Sequence, residues 1–385
     1  MNSANGAIYN GMDLYRMAIP YAGVTNHDIK CIGVPEFDAN DLTADLYVIN
    51  RSRELFRAQY VKQQGKKLIV DIDDYWQLPT WHSSHPDNLD KQIKWAYKAG
   101  NYDKVNKDEL KAVEACFKEE TNAPDNIIAS CRIADAVTVS TPKIQESLLK
   151  DYGISSTVIR NTIPSWVQQF TTYKNKSNKV RFGWVGGVYH RRDIAMMYNG
   201  IRFMHTDVSL RGKYQILSTF QNNAEYREIE NILTCGYKCC SPEYMKYLKS
   251  YTRAGDHFGI NEAYRRLWSK EATTYGSMYE DIDVALIPLK HGKFNSHKSE
   301  LKLIEAGTTG CAAIVSNVEP YKAYLKDGYN CLTTSETNGW YRSMKRLINE
   351  PNLREDLAGN LALTIAENFN PAAESHKLTE LISTL

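Results

Sequence analysis

Nowhere in its 385 residues does the chain carry an apolar run near the roughly 18–20 residues of a membrane-spanning helix. Its first residues, Met1 to Tyr9, lack the basic-then-apolar layout of a secretory signal. It has no C-x-x-C pair, its eight cysteines being Cys31, Cys116, Cys131, Cys235, Cys239, Cys240, Cys311 and Cys331. Three of these cluster at 235–240, but no histidine stands beside them at zinc-ligand spacing. Reduced thiols and a cytoplasmic location are therefore expected. Neither charge is in excess: 47 Lys+Arg against 45 Asp+Glu give a net +2. That removes any global attraction to nucleic acid or an anionic membrane, and leaves room for a local basic site. Internal repeats and low-complexity tracts are also missing, as is the G-x-G-x-x-G fingerprint of dinucleotide enzymes.

What is there is a foldable chain, 43% hydrophobic and 24% charged, long enough for two or three domains with real cores. Short runs rich in Val, Ile and Tyr alternate with longer helical stretches. In the first half the predicted strands are His27–Val34, Ala44–Asn50, Lys67–Asp71, Ala134–Ser140 and Thr157–Arg160. Helices are predicted between them at Arg51–Gln64, Asp87–Tyr97, Lys107–Glu120 and Pro142–Asp151. The stretch Ser165–Lys179 has no apolar period and reads as a linker. Alternation then resumes, with strands at Val180–Val185, Tyr214–Ser218, Ile282–Pro288, Ala312–Ser316 and Asn330–Thr333. Helices are expected at Asp193–Phe203, Ala224–Leu233, Glu243–Tyr251, Tyr275–Glu280, Ser296–Ala306, Asn338–Asn349, Leu353–Glu367 and Pro371–Leu385. Such alternation makes parallel sheets with helices on both faces, an α/β fold of two Rossmann-like domains. Ligands in such sheets sit at the carboxyl ends of strands, so two facing halves create a central cleft. The expected organisation is 1–165, a linker at 166–178, 179–365, and a final helix at 366–385 that returns to the first domain.

Two motifs in the second half suit an anion. In the first, strand Val180–Val185 runs into Gly186 and Gly187, then Arg191 and Arg192, then a helix. Glycine permits close backbone approach, a helix start attracts phosphate, and arginines pair bidentately with phosphate oxygens. In the second, Asn295 or Ser296 would cap a helix ending near Gly307, with Lys298 and Lys302 repelling each other on one face unless an anion sits between them. His297, Leu301 and Glu305 would share the adjacent face. In the first half, Val70-Asp-Ile-Asp-Asp-Tyr-Trp76 places acids at a strand end, followed by Trp81, His82 and His85. Asp73 and Asp74 suit a general base, a divalent metal or a helix cap, and the aromatics suit stacking on a sugar or base.

These residues resemble the donor domain of GT-B glycosyltransferases, in particular the retaining group with glycogen synthase-like and phosphatidylinositol mannosyltransferase-like enzymes. The likeness rests on K-x-x-x-K-x-x-E-A-G, here Lys298, Lys302, Glu305, Ala306 and Gly307, followed by TTGCAAIVSN. It extends to Tyr279–Leu289, to Ala134–Thr141 and to Val158–Ile163. His297 stands where that family has its first glutamate, and Gly187 where it has a loop arginine.

The resemblance implies transfer of a sugar from a nucleoside diphosphate, most simply a UDP-sugar co-substrate, to an acceptor hydroxyl with retention. It implies no metal and no other cofactor. Gly186 and Gly187 would lie on the diphosphate, Arg192 and Lys298 would neutralise it, and Arg191, Ser299 and Lys302 would join the donor site. Glu305 would hold the ribose, His297 a sugar hydroxyl, and the segment of Trp268 the base. Tyr15-Arg16 matches a Tyr-Arg-Pro start of related bacterial and phage enzymes, with Arg16 meeting the donor phosphate or the acceptor. Asp73, Asp74 or His82 would orient the acceptor hydroxyl. The acceptor is a glycan, lipid or protein, or alternatively hydroxymethylated DNA, to which basic runs at Lys62–Lys67 and Lys174–Arg181 would contribute. A non-hydrolysing sugar-nucleotide epimerase would share the fold but not the Lys298–Glu305 pattern. A non-catalytic sugar-nucleotide-binding protein is the rival from another class, supported by His297 and Gly187.

Overall fold

The computed structural model describes residues 11–30, 37, 42–51, 53–80, 82, 85, 121–250, 252–253, 261–335 and 338–385. The helices expected at Asp87–Tyr97 and Lys107–Glu120 lie outside these residues, as does Trp81. Of the strand expected at His27–Val34, residues 27–30 are not strand and the remainder lies outside.

Two all-parallel sheets form. The first runs β1 (Leu46–Asn50), β2 (Lys67–Ile72), β3 (Ala136–Val139) and β4 (Thr157–Val158) in chain order. In β2, Leu68 to Ile72 are all buried, as expected of a strand covered on both faces, with Asp71 the one charged residue among them. Helix Pro142–Tyr152 returns the chain from β3 to β4. Thr141 caps it by accepting from the Ile144 N–H, proline opens it, and Gly153 at φ +68° ends it. Ile144 and Leu148, one turn apart, bury its inner face.

The second sheet has six strands in the order β10-β9-β8-β5-β6-β7. They are β5 (Val180–Trp184), β6 (Tyr214–Phe220), β7 (Tyr264–Trp268), β8 (Val284–Ile287), β9 (Ala312–Ser316) and β10 (Leu332–Thr334). Strand order reverses between β5 and β8, which makes the carboxyl ends of these two strands the switch-point crevice where ligands bind in doubly wound sheets. The segment after β5 carries Gly186 and Gly187; the one after β8 carries Asn295 to Glu300. Between the sheets, residues 161–179 hold no helix or strand, yet Val167 and Phe170 are buried.

Strand β7, a β-rich run given no strand range from the sequence, has two arginines in its middle. Both are neutralised inside: Arg266 pairs with Glu230 at 2.7 Å and lies 4.0 Å from the Phe220 ring, and Arg265 pairs with Asp281 at 2.9 Å. Two expected helices are broken. Asp193–Phe203 becomes a 3₁₀ turn (Val188–His190), Arg191–Ile194, a second 3₁₀ turn and Tyr198–Thr206. Ser296–Ala306 becomes Lys293–Ser296 and Leu301–Thr308, separated by residues 297–300. Tyr275–Asp281 is 3₁₀ rather than α-helical. A helix absent from the sequence reading spans 11–22, π-helical at Asp13–Ala18, and lies between the two sheets. The last helix, Pro371–Ser383, packs Leu378 on Tyr21, Val24 and Ile159. No described helix is long and apolar enough to cross a membrane.

Candidate functional site

The carboxyl ends of the two sheets face each other, and the break at 297–300 is where they meet. Three successive residues there each reach the half of the chain that carries the first sheet. His297 Nε2 accepts from the Ser147 hydroxyl at 2.8 Å, because its Nδ1–H already donates to the Lys293 carbonyl at 2.6 Å. Lys298 lies 3.7 Å from Asp74. Ser299 Oγ accepts from Asn161 at 2.9 Å. These contacts explain the broken helix: the chain leaves helical geometry with two tight i→i−3 hydrogen bonds, from the His297 and Lys298 N–H groups, and turns its side chains across the seam. Lys298 and Lys302 therefore do not share a helix face, and neither Asn295 nor Ser296 caps the helix that carries Glu305.

The carboxylates of the first sheet form one charged row. Asp71 takes two hydrogen bonds from Arg16, one from Thr138 at 2.7 Å and one from Asn50 at 2.8 Å. Asp73 is gripped by Arg51 through two nitrogens, and Arg51 also reaches Asp74 at 2.7 Å. Burial opposes ionisation of Asp74, but Lys298 and Arg51 outweigh it and hold its carboxyl below the usual range. Arg51, at the end of β1, sits at φ +41°, a strained backbone value of the kind that concentrates at functional sites. No motif flagged it, since a lone arginine after a short strand has no spacing signature.

His82 stacks on Tyr189 across the seam, with ring centroids 4.5 Å apart. Burial, with the positive charges of Lys298 and Arg53, pushes its pKa down to about 4, so it is neutral at physiological pH. Tyr189 belongs to the turn after Gly187. That turn also carries His190, whose Nδ1 meets Asp193 at 2.9 Å.

Several of the expected site residues have partners inside the protein. Arg16 is 2% exposed and held inside, donating to Asp71, the Ile159 carbonyl and Asn161. Four of its five guanidinium N–H donors are committed to these partners. His297, also 2% exposed, has both ring nitrogens engaged and packs 4.4 Å from the Tyr75 ring. It links the two halves. Glu305 is wholly buried and receives Tyr15, Tyr275, Tyr279 and Lys302. Burial and the charge of Glu305 raise the pKa of all three tyrosines well above 10. Lys302 thus serves Glu305, and Arg191 makes an exposed pair with Glu228. Arg192 is exposed at the start of a four-residue helix. Trp268, at the end of β7, is half-buried with an indole N–H that meets no acceptor among the described residues.

The two glycines separate. A Cβ on Gly186 would stand 2.7 Å from the Trp184 ring, and both its backbone groups are taken, by Thr219 and Tyr226. A Cβ on Gly187 would meet nothing within 4 Å. Gly186→Ala is expected to destabilise by about 1–3 kcal/mol through overpacking. Gly187→Ala should leave the urea midpoint unchanged and weaken only a ligand lying on that turn; equal midpoint losses would refute this division.

Glu300, 4% exposed, lies behind the seam. Burial pushes its carboxyl up to about 7, against the pull of its own backbone N–H and of Arg160. A carboxyl whose pKa rises on folding stabilises below its unfolded value near 4.5 and loses that contribution as pH climbs through about 7. The loss is about 3 kcal/mol. Glu300→Gln should match the wild type at pH 4 and exceed it at pH 8 in urea midpoints; a pH-independent difference would count against the buried carboxyl.

No protein-family model and no curated protein sequence matches the chain. Solved structures do. Sucrose-phosphate synthase from Thermosynechococcus elongatus superposes with TM-score 0.54 at 14% identity, over 88% of this chain and 73% of that one. Anabaena HepE in complex with UDP-glucose gives TM-score 0.54 at 12% identity, over 89% and 79%. A UDP-forming α,α-trehalose-phosphate synthase from Burkholderia xenovorans gives TM-score 0.53 at 10% identity, over 87% and 73%. The two-sheet architecture is that of these proteins, the GT-B fold.

Proposed function

We propose that the protein transfers a sugar from a nucleoside diphosphate, a UDP-sugar first, to an acceptor hydroxyl in the cleft between its two sheets. The observation that carries this reading is the Lys298–Asp74 pair: a cation at the switch point of the six-stranded sheet meets a carboxylate at a strand end of the other, 3.7 Å away. The pair is ready for exchange. An entering diphosphate draws Lys298 onto its oxygens, where the ammonium offsets charge on the leaving group. Asp74 is then released, still held by Arg51, to accept the proton of an acceptor hydroxyl. The UDP-glucose and UDP complexes of HepE, which has the same fold, support the choice of nucleotide.

In this reading residues 1–165 present the acceptor and 179–365 the donor, Gly187 lies on the diphosphate, Trp268 is near the base, and retention follows the resemblance. The acceptor is a glycan, lipid or protein hydroxyl. The fully engaged Glu305 and His297 mean that ribose and sugar contacts fall to other residues or require Tyr15 and Tyr275 to move.

A thermal-shift panel of nucleoside diphosphates, followed by assay of UDP-sugar hydrolysis and transfer, tests the reading. Selective stabilisation by one diphosphate with turnover of its sugar is expected. Binding without turnover would leave a sugar-nucleotide-binding protein, and no shift with any nucleotide would overturn the donor site.

A further inference from the structure

His190 is a titratable group at the switch point that the proposed mechanism leaves unused. It sits in a one-turn 3₁₀ segment directly after Gly187, with its N–H closing on the Gly187 carbonyl at 3.2 Å. Its ring is fixed by Asp193, whose side chain is 3% exposed. Asp193 is itself immobilised: its other oxygen accepts from the Lys290 N–H at 2.8 Å and from Asn295 at 3.2 Å. A carboxylate acceptor at Nδ1 keeps the proton on that nitrogen and leaves the Nε2 lone pair free. Among the described residues no group takes Nε2, and the side chain is 23% exposed, enough to meet an incoming ligand. Lys298 and Lys302 are within electrostatic reach of the ring, Asp74 lies on the facing sheet, and Asp193 stands behind it.

We propose that His190 is a catalytic residue for departure of the donor's diphosphate: it takes up a proton at Nε2 when the diphosphate enters and offers that N–H to a phosphate oxygen as the sugar–oxygen bond breaks. The inference rests on the donor reading above. In the empty protein, burial and the two lysines hold the His190 pKa below its ordinary value, despite Asp193, so the ring is neutral. A diphosphate brings two to three negative charges beside those lysines and reverses the balance. The proton comes from solvent. The bonding pair of the broken C–O bond goes to the diphosphate oxygen, which is hydrogen-bonded or protonated by Nε2–H. The Nδ1 proton stays on the ring, hydrogen-bonded to Asp193, throughout, and release of the diphosphate returns His190 to neutral.

The test is calorimetry of UDP binding at pH 8, where the nucleotide is already ionised, in phosphate and in Tris. The two buffers differ in ionisation heat and so report proton uptake. The wild type should take up close to one proton more than His190→Gln, and kcat for transfer should fall about 100-fold in the variant, with its alkaline limb lost. His190→Asn serves as a second variant should Gln disturb the turn. UDP binding with no proton uptake by the wild type overturns the proposal without any variant. Uptake unchanged in His190→Gln, or full kcat in it, overturns it as well. Failure of UDP to bind the wild type at all is a different result, since it removes the donor reading itself.

Discussion

Lys298→Ala is expected to lower kcat for the proposed sugar transfer by about two to three orders of magnitude while the protein stays folded. The size follows from the position. A cation aimed at charge that develops only in the transition state is worth about 3–4 kcal/mol in a site closed to water. Lys298 is the cation best placed for that: Lys302 is committed to Glu305, Arg191 to Glu228 and Arg16 to Asp71. The stability cost is small for a separate reason. Its partner in the empty protein is Asp74 at 3.7 Å, and both side chains are about one-fifth exposed. A pair of that length and exposure contributes under about 1 kcal/mol. The signature is thus a large loss in kcat with a urea midpoint close to the wild type, measured on the same preparation. Lys298→Arg should recover part of the rate. Retention of full kcat in Lys298→Ala would remove the interdomain cation from the mechanism.

Arg16→Met is expected to show the opposite signature, a stability loss of about 3–5 kcal/mol. Its guanidinium and Asp71 are each 2% exposed and 2.6 Å apart. Removing one partner leaves a buried carboxylate with only Thr138 and Asn50 as donors. It also frees the Ile159 carbonyl and Asn161. Against a typical total stability of about 5–15 kcal/mol this is decisive. The check is a double-mutant cycle on urea midpoints with Asp71→Leu. Each single variant should be strongly destabilised, and the double variant should recover most of the loss, because an apolar pair carries no stranded charge. A mild effect of Arg16→Met on stability, with a large one on nucleotide affinity, would instead return Arg16 to the donor phosphate.

Lys298 and Arg16 illustrate how much of the site could be read along the chain. The residue types were legible. A glycine turn after a strand, carboxylates ending β2, and lysines with a glutamate before a small-residue turn are local patterns, and the structure brings Gly187, Asp73, Asp74, His82 and Lys298 to one seam. What each charge does was not legible. Arg16, His297, Lys302 and Glu305 have the right type for ligand contact, yet their partners are 3 to 290 residues away and satisfy them from within. Tyr15 and Arg16 are neighbours in sequence but face different sheets, one to Glu305 and the other to Asp71. Nothing in a local pattern carries that.

The alternation of short apolar runs and helices by itself determined two parallel sheets, because strand burial and crossover handedness depend only on local periodicity and chain connectivity. The break at 297–300, the strain at Arg51 and the division of cations between interior and cleft were decided by tertiary structure. Each is a balance between desolvation and a partner supplied by the other half of the chain, and that balance exists only once the two sheets face each other.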